Sequence, residues 1–309
     1  MTPQGGAGRR PILLLVNPTA GGKPASGRSL SDDPARLRPE ALADALRAAG
    51  LEVTLRILGE GDDVADLARE GAESHDIVAA GGDGTVGPAA LALVDRPATL
   101  GILALGSFNN VARGLGLADS LDEALAAIAG GQVARVDVGL ASREGAEAEP
   151  FLEASGIGLD AIGFHAVELA DRRGVWRGAR FLWRALRRSP SRIELVVDGA
   201  RTVAQASSVV ICNGPYYGAG FAIAADADPT DGQLDVAVFE AMGRARAVIH
   251  YLRVARGRRA WDPRVRVERG GEISVRALRG TLPVHVDGRS IGVTPVTFSV
   301  RPGALRIFR

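Results

Sequence analysis

Three glycine-rich loops, each directly after an apolar run, carry most of the residues that could do chemistry in this 309-residue chain. The first covers residues 17–23, the second 81–85 and the third 106–110. Glycines let a backbone approach an anion closely, and helix N-termini present N–H groups to phosphate. Lys23, the single lysine among 37 basic residues, adds a point charge suited to phosphate. Together the loops indicate a phosphate-binding site.

The second loop, Gly-Gly-Asp-Gly-Thr, has the sharpest chemistry. An aspartate between glycines at the end of a strand can approach a magnesium–phosphate group without steric hindrance from its neighbours. Asp83 is therefore a candidate to contact such a group. The alternative interpretation is an Asp-Gly turn, since glycine after a strand is often only turn chemistry.

Several familiar site patterns are missing from the sequence. It contains no Gly-x-x-x-x-Gly-Lys-[Ser/Thr] phosphate loop, no Gly-x-Gly-x-x-Gly after the first strand and no Gly-x-Ser-x-Gly elbow. The four histidines have no metal-ligand spacing, and the single cysteine, Cys212, excludes a disulfide framework. No apolar run reaches 18 residues and no signal peptide is recognisable, so a cytoplasmic location is expected.

The first half of the chain alternates short apolar runs with helical patterns, which predicts a doubly wound, mostly parallel α/β sheet. Leu42, Leu46 and Ala49 share one face of the first helix, and Gly50 ends it. In such a sheet the loops after strands meet at the carboxyl edge, where ligands bind. Strands are predicted at 12–16, 51–57, 76–80 and 100–103, and helices at 40–49, 64–70, from residue 85 to Val94, at 109–114 and at 121–129.

Strand candidates separated by turn signals dominate from about Val133, which predicts an antiparallel, β-sandwich-like domain with one inserted helix at 163–188. We predict two domains, 9–136 and 137–302, with the last strand, 303–309, packing back on the first. The strand candidates are 151–157, 192–198, 203–212, 233–239, 264–268, 272–277, 283–286 and 296–300.

The charge distribution also divides the chain. Residues 1–150 carry 13 basic and 21 acidic side chains, whereas 151–309 carry 24 and 15. Two halves of opposite sign suggest different partners. An anionic surface is the expected partner of the second half; nucleic acid would fit the charge, but no nucleic-acid fold signature supports it.

The order of these motifs resembles the diacylglycerol kinase catalytic-domain family, which includes sphingosine kinases and bacterial lipid kinases. The resemblance runs from about residue 10 to the end, although Gly-Gly-Asp-Gly-Thr alone also occurs in NAD kinases. The matching segments are 16–21, 81–85, 105–113, 224–235, 286–288 and 302–305.

This resemblance implies an ATP-binding α/β domain and a β-sandwich, an active site in the cleft between them, and phosphoryl transfer from ATP to a lipid hydroxyl. By position, Asp83 is implied as the central catalytic or magnesium-linked acid and Asp137 as a further active-site acid. Asp228, Asp231 and the carbonyl of Gln233 match a structural Mg²⁺ site of bacterial members; the alternative for them is an acidic turn. The implied nucleotide-site residues are Asn17, Thr19, Gly21, Gly22, Lys23, Gly81, Gly82, Gly84, Thr85, Gly106, Ser107 and Asn109.

The chain departs from the family pattern at acidic positions. Arg289 stands where the family has a glutamate proposed as the base for the lipid hydroxyl. Asn110 replaces a usual aspartate, and Gly87-Pro88 replaces Asn-Glu. A catalytically impaired homologue and an altered substrate are therefore open alternatives.

A replacement base is conceivable, because His285, Asp287 and Arg289 alternate along a predicted strand and would share one face. We hypothesise that His285 or Asp287 supplies the base and that Arg289 contacts a substrate anion. The alternative is that Arg289 is a solvated hairpin residue. Phosphoryl transfer depends largely on positioning and charge stabilisation, so loss of a base need not abolish it.

An arginine- and aromatic-rich stretch at 163–192 could lie on an anionic membrane, or could be a core helix whose arginines face water. We predict a magnesium-dependent ATP:lipid phosphotransferase, cytoplasmic and peripherally associated with the inner membrane face, without a nucleic-acid partner and with a homodimer left open. The alternatives are a soluble kinase of NAD-kinase type and a non-catalytic nucleotide- or lipid-binding homologue.

Overall fold

The chain separates into two compact units. The computed structural model describes residues 9–20, 30–117, 120–165, 176, 190–240 and 265–309. The first unit contains the chain up to Val136 together with Ala304–Arg309, and the second contains Asp137–Gly303. The chain therefore leaves the first unit after Val136 and returns to it at Ala304.

Strands and helices alternate in the first unit. Its elements are β1 (Ile12–Val16), a 3-10 helix (Pro34–Leu37), α1 (Pro39–Ala48), β2 (Val53–Ile57), α2 (Val64–Gly71), β3 (Asp76–Gly81), α3 (Asp83–Ala92), β4 (Leu100–Ala104), α4 (Asn110–Gly114) and α5 (Leu121–Gly130).

Strands dominate the rest of the chain. They are β5 (Val133–Ser142), β6 (Glu149–Phe151), β7 (Ala154–Gly158), β8 (Ser191–Val197), β9 (Ala200–Cys212), β10 (Leu234–Glu240), β11 (Val265–Gly270), β12 (Glu272–Ala277), β13 (Pro283–Val286), β14 (Arg289–Val293) and β15 (Val296–Phe308).

The sheet of the first unit is parallel, in the order β2-β1-β3-β4, and the end of β15 continues it beside β4. β3 is buried along its whole length, as expected for a strand covered by helices on both faces. Two helices of this unit, α2 and α5, are started by side-chain caps. The Asp63 carboxylate accepts the N–H groups of Ala65 and Asp66 to start α2, and Ser120 caps α5 in the same manner.

The second unit is an antiparallel, sandwich-like structure organised by the thirteen-residue strand β9. The first part of β9 pairs with β8, and its last part lies between β7 and β10. β8 continues through β12 to β15, while β7 continues through β13 to β14. The two branches share one apolar core, in which Phe151 and Phe298 meet edge to face at 6.2 Å.

The predicted fold class is confirmed in both halves: a parallel α/β sheet and an antiparallel sandwich-like unit. Some element boundaries are wrong. The strand predicted at 151–157 is two strands, because the chain turns at Leu152 and Glu153 between β6 and β7. The strand β14 was not predicted, and Ala49 lies after α1, exposed rather than on its buried face.

The predicted helix at 163–188 falls largely outside the described residues. Residues 159–165 are helical and Trp176 is 89% exposed, but 166–175 and 177–189 are not among those described. Within the described part of the chain, no helix is both long and apolar enough to cross a membrane.

Candidate active site

The three glycine loops leave the same edge of the first unit's sheet. β1 and β3 are neighbours, yet β2 follows β1 on the opposite side from β3, so the strand order reverses between β1 and β3. A reversal of this kind opens a crevice beyond the carboxyl ends of the strands, which is the usual ligand site of such sheets. The loops after β1, β3 and β4 all begin there.

The Asn17 side chain connects the first loop to the second. Its Nδ2 donates to Thr85 Oγ1 at 3.2 Å, and its Oδ1 accepts from the N–H and hydroxyl of Thr19 at 3.0 and 2.8 Å. The Asn17 N–H donates to the carbonyl of Ala80 at the end of β3. The loop is therefore ordered by its own polar residues as far as Ala20. Gly21, Gly22 and Lys23 lie outside the described residues, and their predicted contacts stay predictions.

Glycine is required where the second and third loops touch. A Cβ on Gly106 would come closer than 3.0 Å to Gly82 Cα and would lie 2.8 Å from Asn109 Oδ1. A Cβ on Gly81 would lie 2.6 Å from Thr85 Cβ. The two backbones therefore approach each other more closely than residues with side chains would allow.

The N-terminus of α3 lies between these loops. Gly82 is its N-cap and supplies no side-chain capping hydrogen bond. Gly84, in the first turn, is exposed, and a Cβ there would meet nothing within 4 Å. A helix start with open space in front of it suits a phosphate group, because its N–H groups and dipole favour negative charge.

Asp83 begins α3 and also faces the start of α4. One carboxylate oxygen accepts the N–H of Val111 at 3.3 Å. Burial raises the pKa of the Asp83 carboxyl above its ordinary value, and hydrogen bonds from the backbone N–H groups of Asn110, Val111 and Asn109 partly oppose the rise. Asp83 is thus a half-buried acid held at the meeting point of two loops.

Asn109 holds the third loop in shape. Its Oδ1 accepts the N–H of Gly106 at 2.9 Å, and its Nδ2 donates to the carbonyls of Gly106 and Ala104. Asn109 adopts the left-handed conformation, with φ of 50°, which asparagine tolerates better than most residues. Ser107, one residue beyond Gly106, is exposed. The structure thus brings together the predicted residues of all three loops that it describes.

Asp137, in the second unit, has both carboxylate oxygens in backbone hydrogen bonds. They accept the N–H groups of Gly232 and Gly303, each at 2.7 Å. Its own N–H donates to Pro229, and its carbonyl accepts from Asn213. The predicted catalytic acid therefore joins three segments of the second unit, and a catalytic role for it stays a prediction.

The predicted magnesium ligands lie in the exposed loop before β10. Asp228 Oδ1 accepts the N–H and hydroxyl of Thr230, and Asp231 Oδ1 accepts the N–H of Gln233. Asp231 Oδ2 lies 3.4 Å from a nitrogen of Arg269, so a guanidinium already pairs with one of the two carboxylates. Among the described residues, no three His, Cys, Asp or Glu side chains are grouped to hold a metal. Mg²⁺ binding at Asp228, Asp231 and the Gln233 carbonyl stays a prediction.

His285, Asp287 and Arg289 do not alternate along one strand, so that part of the base hypothesis is wrong. Asp287 and Gly288 form the two-residue turn between β13 and β14, with φ of 44° and 79°. The Asp287 carboxylate accepts three backbone N–H groups, from residues 152–154. Arg289 is exposed and pairs with Glu149 at 2.9 Å.

Sequence reasoning missed two partners of His285, Asp160 and Tyr217. His285 is 2% exposed and lies 2.8 Å from a carboxylate oxygen of Asp160, whose other oxygen accepts the hydroxyl of Tyr217. Neither Asp160 nor Tyr217 belongs to a recognisable motif. One signal was available: Asp160 is the single charged residue in 154–163, a run that is otherwise apolar except for Ser155, and a buried acid requires hydrogen-bonding partners.

Comparison with known proteins gives the family. The model for the diacylglycerol kinase catalytic domain matches residues 11–141, and the model for the YegS C-terminal NAD kinase beta sandwich-like domain matches 156–309. A Pseudomonas fluorescens protein named "Probable lipid kinase YegS-like" is 30% identical over 282 residues, covering 86% of this chain and 89% of the relative. This chain belongs to the diacylglycerol kinase catalytic-domain family.

Other members of this family align over most of the chain. A diacylglycerol kinase of Mycobacterium tuberculosis is 26% identical over 274 residues, covering 85% of this chain and 87% of the relative. The crystal structure of a Bacillus anthracis diacylglycerol kinase shares the fold, with a TM-score of 0.71, 24% identity, and coverage of 97% of this chain and 96% of that one. The predicted family and its two-part fold are thereby confirmed.

A likeness of fold extends to NAD kinase. The structure of an Archaeoglobus fulgidus NAD kinase in complex with ATP has a TM-score of 0.55 and 15% identity, and covers 96% of this chain and 93% of that one. At this identity the comparison shows a shared fold.

Proposed function

We propose that this chain is an ATP-dependent lipid kinase, which transfers a phosphoryl group from ATP to the hydroxyl of a lipid such as diacylglycerol. The observation that carries the proposal is the convergence of three loops on Asp83 at the reversal of strand order. Relatives named lipid kinase and diacylglycerol kinase support this substrate class. The ATP complex of a NAD kinase with the same fold supports the nucleotide.

In this proposal the phosphates of ATP lie against the first turn of α3. The open space at Gly84 admits them, and the Asn17–Thr85 hydrogen bond holds the first loop beside them. Charge in a phosphoryl-transfer transition state spreads over the phosphoryl oxygens, so fixed N–H donors at a helix start stabilise it. A divalent cation, when bound, would neutralise further charge between the phosphates.

Asp83 is the residue proposed to handle the proton of the lipid hydroxyl. Burial favours the protonated form of its carboxyl relative to an exposed aspartate, which makes it a better proton acceptor when ionised. Its hydrogen bond to Val111 fixes the carboxylate in place. The sequence resemblance implies a glutamate at the position of Arg289, so in this proposal Asp83 carries the role without help from that position.

A lipid substrate requires access to a membrane, and we propose that segment 163–192 provides it at the inner face of the cytoplasmic membrane. Trp176, 89% exposed, is the described residue that supports contact, because tryptophan favours the membrane–water interface. Co-sedimentation of the full chain with anionic vesicles tests this. Reduced binding of Trp176→Ala is expected, and equal binding would refute a contact through Trp176.

The function is tested by incubating the chain with mixed lipid extract, labelled ATP and Mg²⁺. Label in the organic phase supports the lipid kinase, and label in NADP, when NAD is supplied, supports a kinase of NAD-kinase type. No label in either refutes both kinase activities and leaves a binding protein. Asp83→Asn should abolish the transfer, whereas Gly130→Ala, in the last turn of α5 with no atom within 4 Å of the new Cβ, is the control.

A further inference from the structure

A buried chain of hydrogen bonds links three segments of the second unit. The Tyr217 hydroxyl donates to one carboxylate oxygen of Asp160, and the other oxygen lies 2.8 Å from Nε2 of His285. The N–H of Gly288 donates to Nδ1 of His285 at 3.1 Å. The three side chains are 3%, 7% and 2% exposed. We name these residues the Tyr217–Asp160–His285 network.

The hydrogen bonds determine the tautomer of His285. Nδ1 accepts the N–H of Gly288, so it carries no proton. The proton of the neutral ring is then on Nε2, where it donates to the Asp160 carboxylate. Neither nitrogen is left to take a proton from a substrate. His285 therefore lacks the free lone pair that a general base needs, in contrast to the role first hypothesised for it.

The surroundings of the network admit little movement. A Cβ on Gly156 would overlap the Asp160 carboxylate, lying 2.8 Å from its Cγ. The Phe164 ring packs on the imidazole with centroids 4.3 Å apart. The Ser155 hydroxyl donates to the His285 carbonyl, and the Ser208 hydroxyl accepts the Asp160 N–H. Backbone and side chains of the buried pair are both fixed.

The network ends on the turn that carries Arg289. The turn is anchored at two points: the Asp287 carboxylate accepts N–H groups of residues 152–154, and Gly288 N–H is held by His285. Both turn residues have positive φ, a conformation that aspartate adopts at a cost. Anchoring on both sides fixes the direction in which Arg289 leaves the turn.

We infer that His285 is a positioning residue: oriented by Asp160 and Tyr217, it holds the turn 287–289 in the conformation that presents this segment to the lipid substrate. The inference rests on the proposed lipid kinase activity. In this inference His285 acts by holding the N–H of Gly288, and Asp160 selects the tautomer of His285 in which Nε2 carries the proton.

Two substitutions at His285 test separately the hydrogen bonds made by its two ring nitrogens. In His285→Asn, Oδ1 lies two bonds from Cβ, the same separation as Nδ1 in histidine, so an acceptor for the N–H of Gly288 is kept. His285→Gln places Nε2 three bonds from Cβ, keeps a donor to Asp160 and loses that acceptor. With lipid as the varied substrate, we expect His285→Asn to retain kcat within about threefold. We expect His285→Gln to lose about tenfold or more, with KM for ATP unchanged.

Asp160→Leu supplies an independent variant. It removes the carboxylate that accepts the proton on His285 Nε2, so nothing selects the tautomer or holds the ring in place for Gly288. We expect the same loss of kcat as for His285→Gln. Thermal melts of each variant give the folded fraction against which kcat is corrected.

The tautomer is read directly in the wild-type chain by long-range ¹H–¹⁵N correlation, with His285→Asn assigning the signal. Nδ1 unprotonated and Nε2 protonated supports the inference, and the reverse overturns it. Equal kcat for His285→Gln and wild type also overturns it, as does an equal loss in folded His285→Asn and His285→Gln. A wild-type chain that phosphorylates no lipid refutes the proposed function instead, so the two failures are distinguishable.

Discussion

Replacement of Gly106 by alanine should push apart the second and third loops of the candidate active site without changing any side chain proposed to take part in the reaction. The new Cβ would lie within 3.0 Å of Gly82 Cα and 2.8 Å from Asn109 Oδ1, whereas carbon atoms in contact prefer about 3.5–4.0 Å. The second and third loops must therefore separate by at least about 0.5–1 Å. Overpacking of this kind costs about 1–3 kcal/mol of stability. Misplacement approaching 1 Å costs up to about 100-fold in turnover.

The assay compares three properties of Gly106→Ala with those of the wild type: ATP affinity by calorimetry, kcat with lipid, and the free energy of unfolding in urea. The control is Gly130→Ala in the last turn of α5, whose Cβ meets nothing within 4 Å and which should stabilise that helix by up to about 1 kcal/mol. If folded Gly106→Ala binds ATP and turns over like the wild type, the contact between the loops does not organise the site, and the reasoning fails.

Three further outcomes are expected. Asp83→Asn should abolish turnover yet raise the thermal midpoint at neutral pH, because burial raises the pKa of Asp83 and its ionised form therefore lowers the stability of the wild type. This gain in thermal midpoint should vanish as the pH falls below the ordinary carboxyl range, where the aspartate is protonated in both the folded and the unfolded state. A gain that does not depend on pH would contradict the reasoning. Asp137→Ala should lower the unfolding free energy by about 2–4 kcal/mol, since two N–H groups lose a charged acceptor; unchanged urea midpoints would refute this. Gly156→Ala should destabilise by about 3 kcal/mol or more by separating His285 from Asp160, and Gly271→Ala, whose Cβ would have its nearest neighbour at 3.9 Å, measures the cost of alanine at an open glycine of the same unit.

The loops of the first unit were predictable because their position depends on local rules. Buried apolar runs identify β1, β3 and β4, and parallel strands place the loops that follow them at one edge. The close contact between Gly82 and Gly106 could not be predicted from the sequence. A glycine that allows a turn and a glycine that allows another backbone to come close look the same in a sequence.

The second unit was less predictable because its decisive contacts are between distant segments. The Asp287-Gly288 pair signals a two-residue hairpin turn, and this signal should have excluded the alternation assumed for His285 and Arg289. The strand β14 was missed because it is short, polar at its start and contains Gly292. The partnership of Asp160 with His285 spans 125 positions and follows from no spacing rule.

The return of the chain to the first unit has a consequence for its synthesis. The strand segment that pairs beside β4 through Ile307 is translated only after the whole of Asp137–Gly303. At about 5–20 residues per second, that stretch takes roughly 10–30 s to make. During this interval the β4 edge of the nascent sheet has no β15 beside it, and an uncovered strand edge is a template for pairing with other chains. A fragment ending at Val136 would keep that edge exposed permanently. We therefore expect such a fragment to aggregate, and a peptide of residues 303–309 to reduce the aggregation.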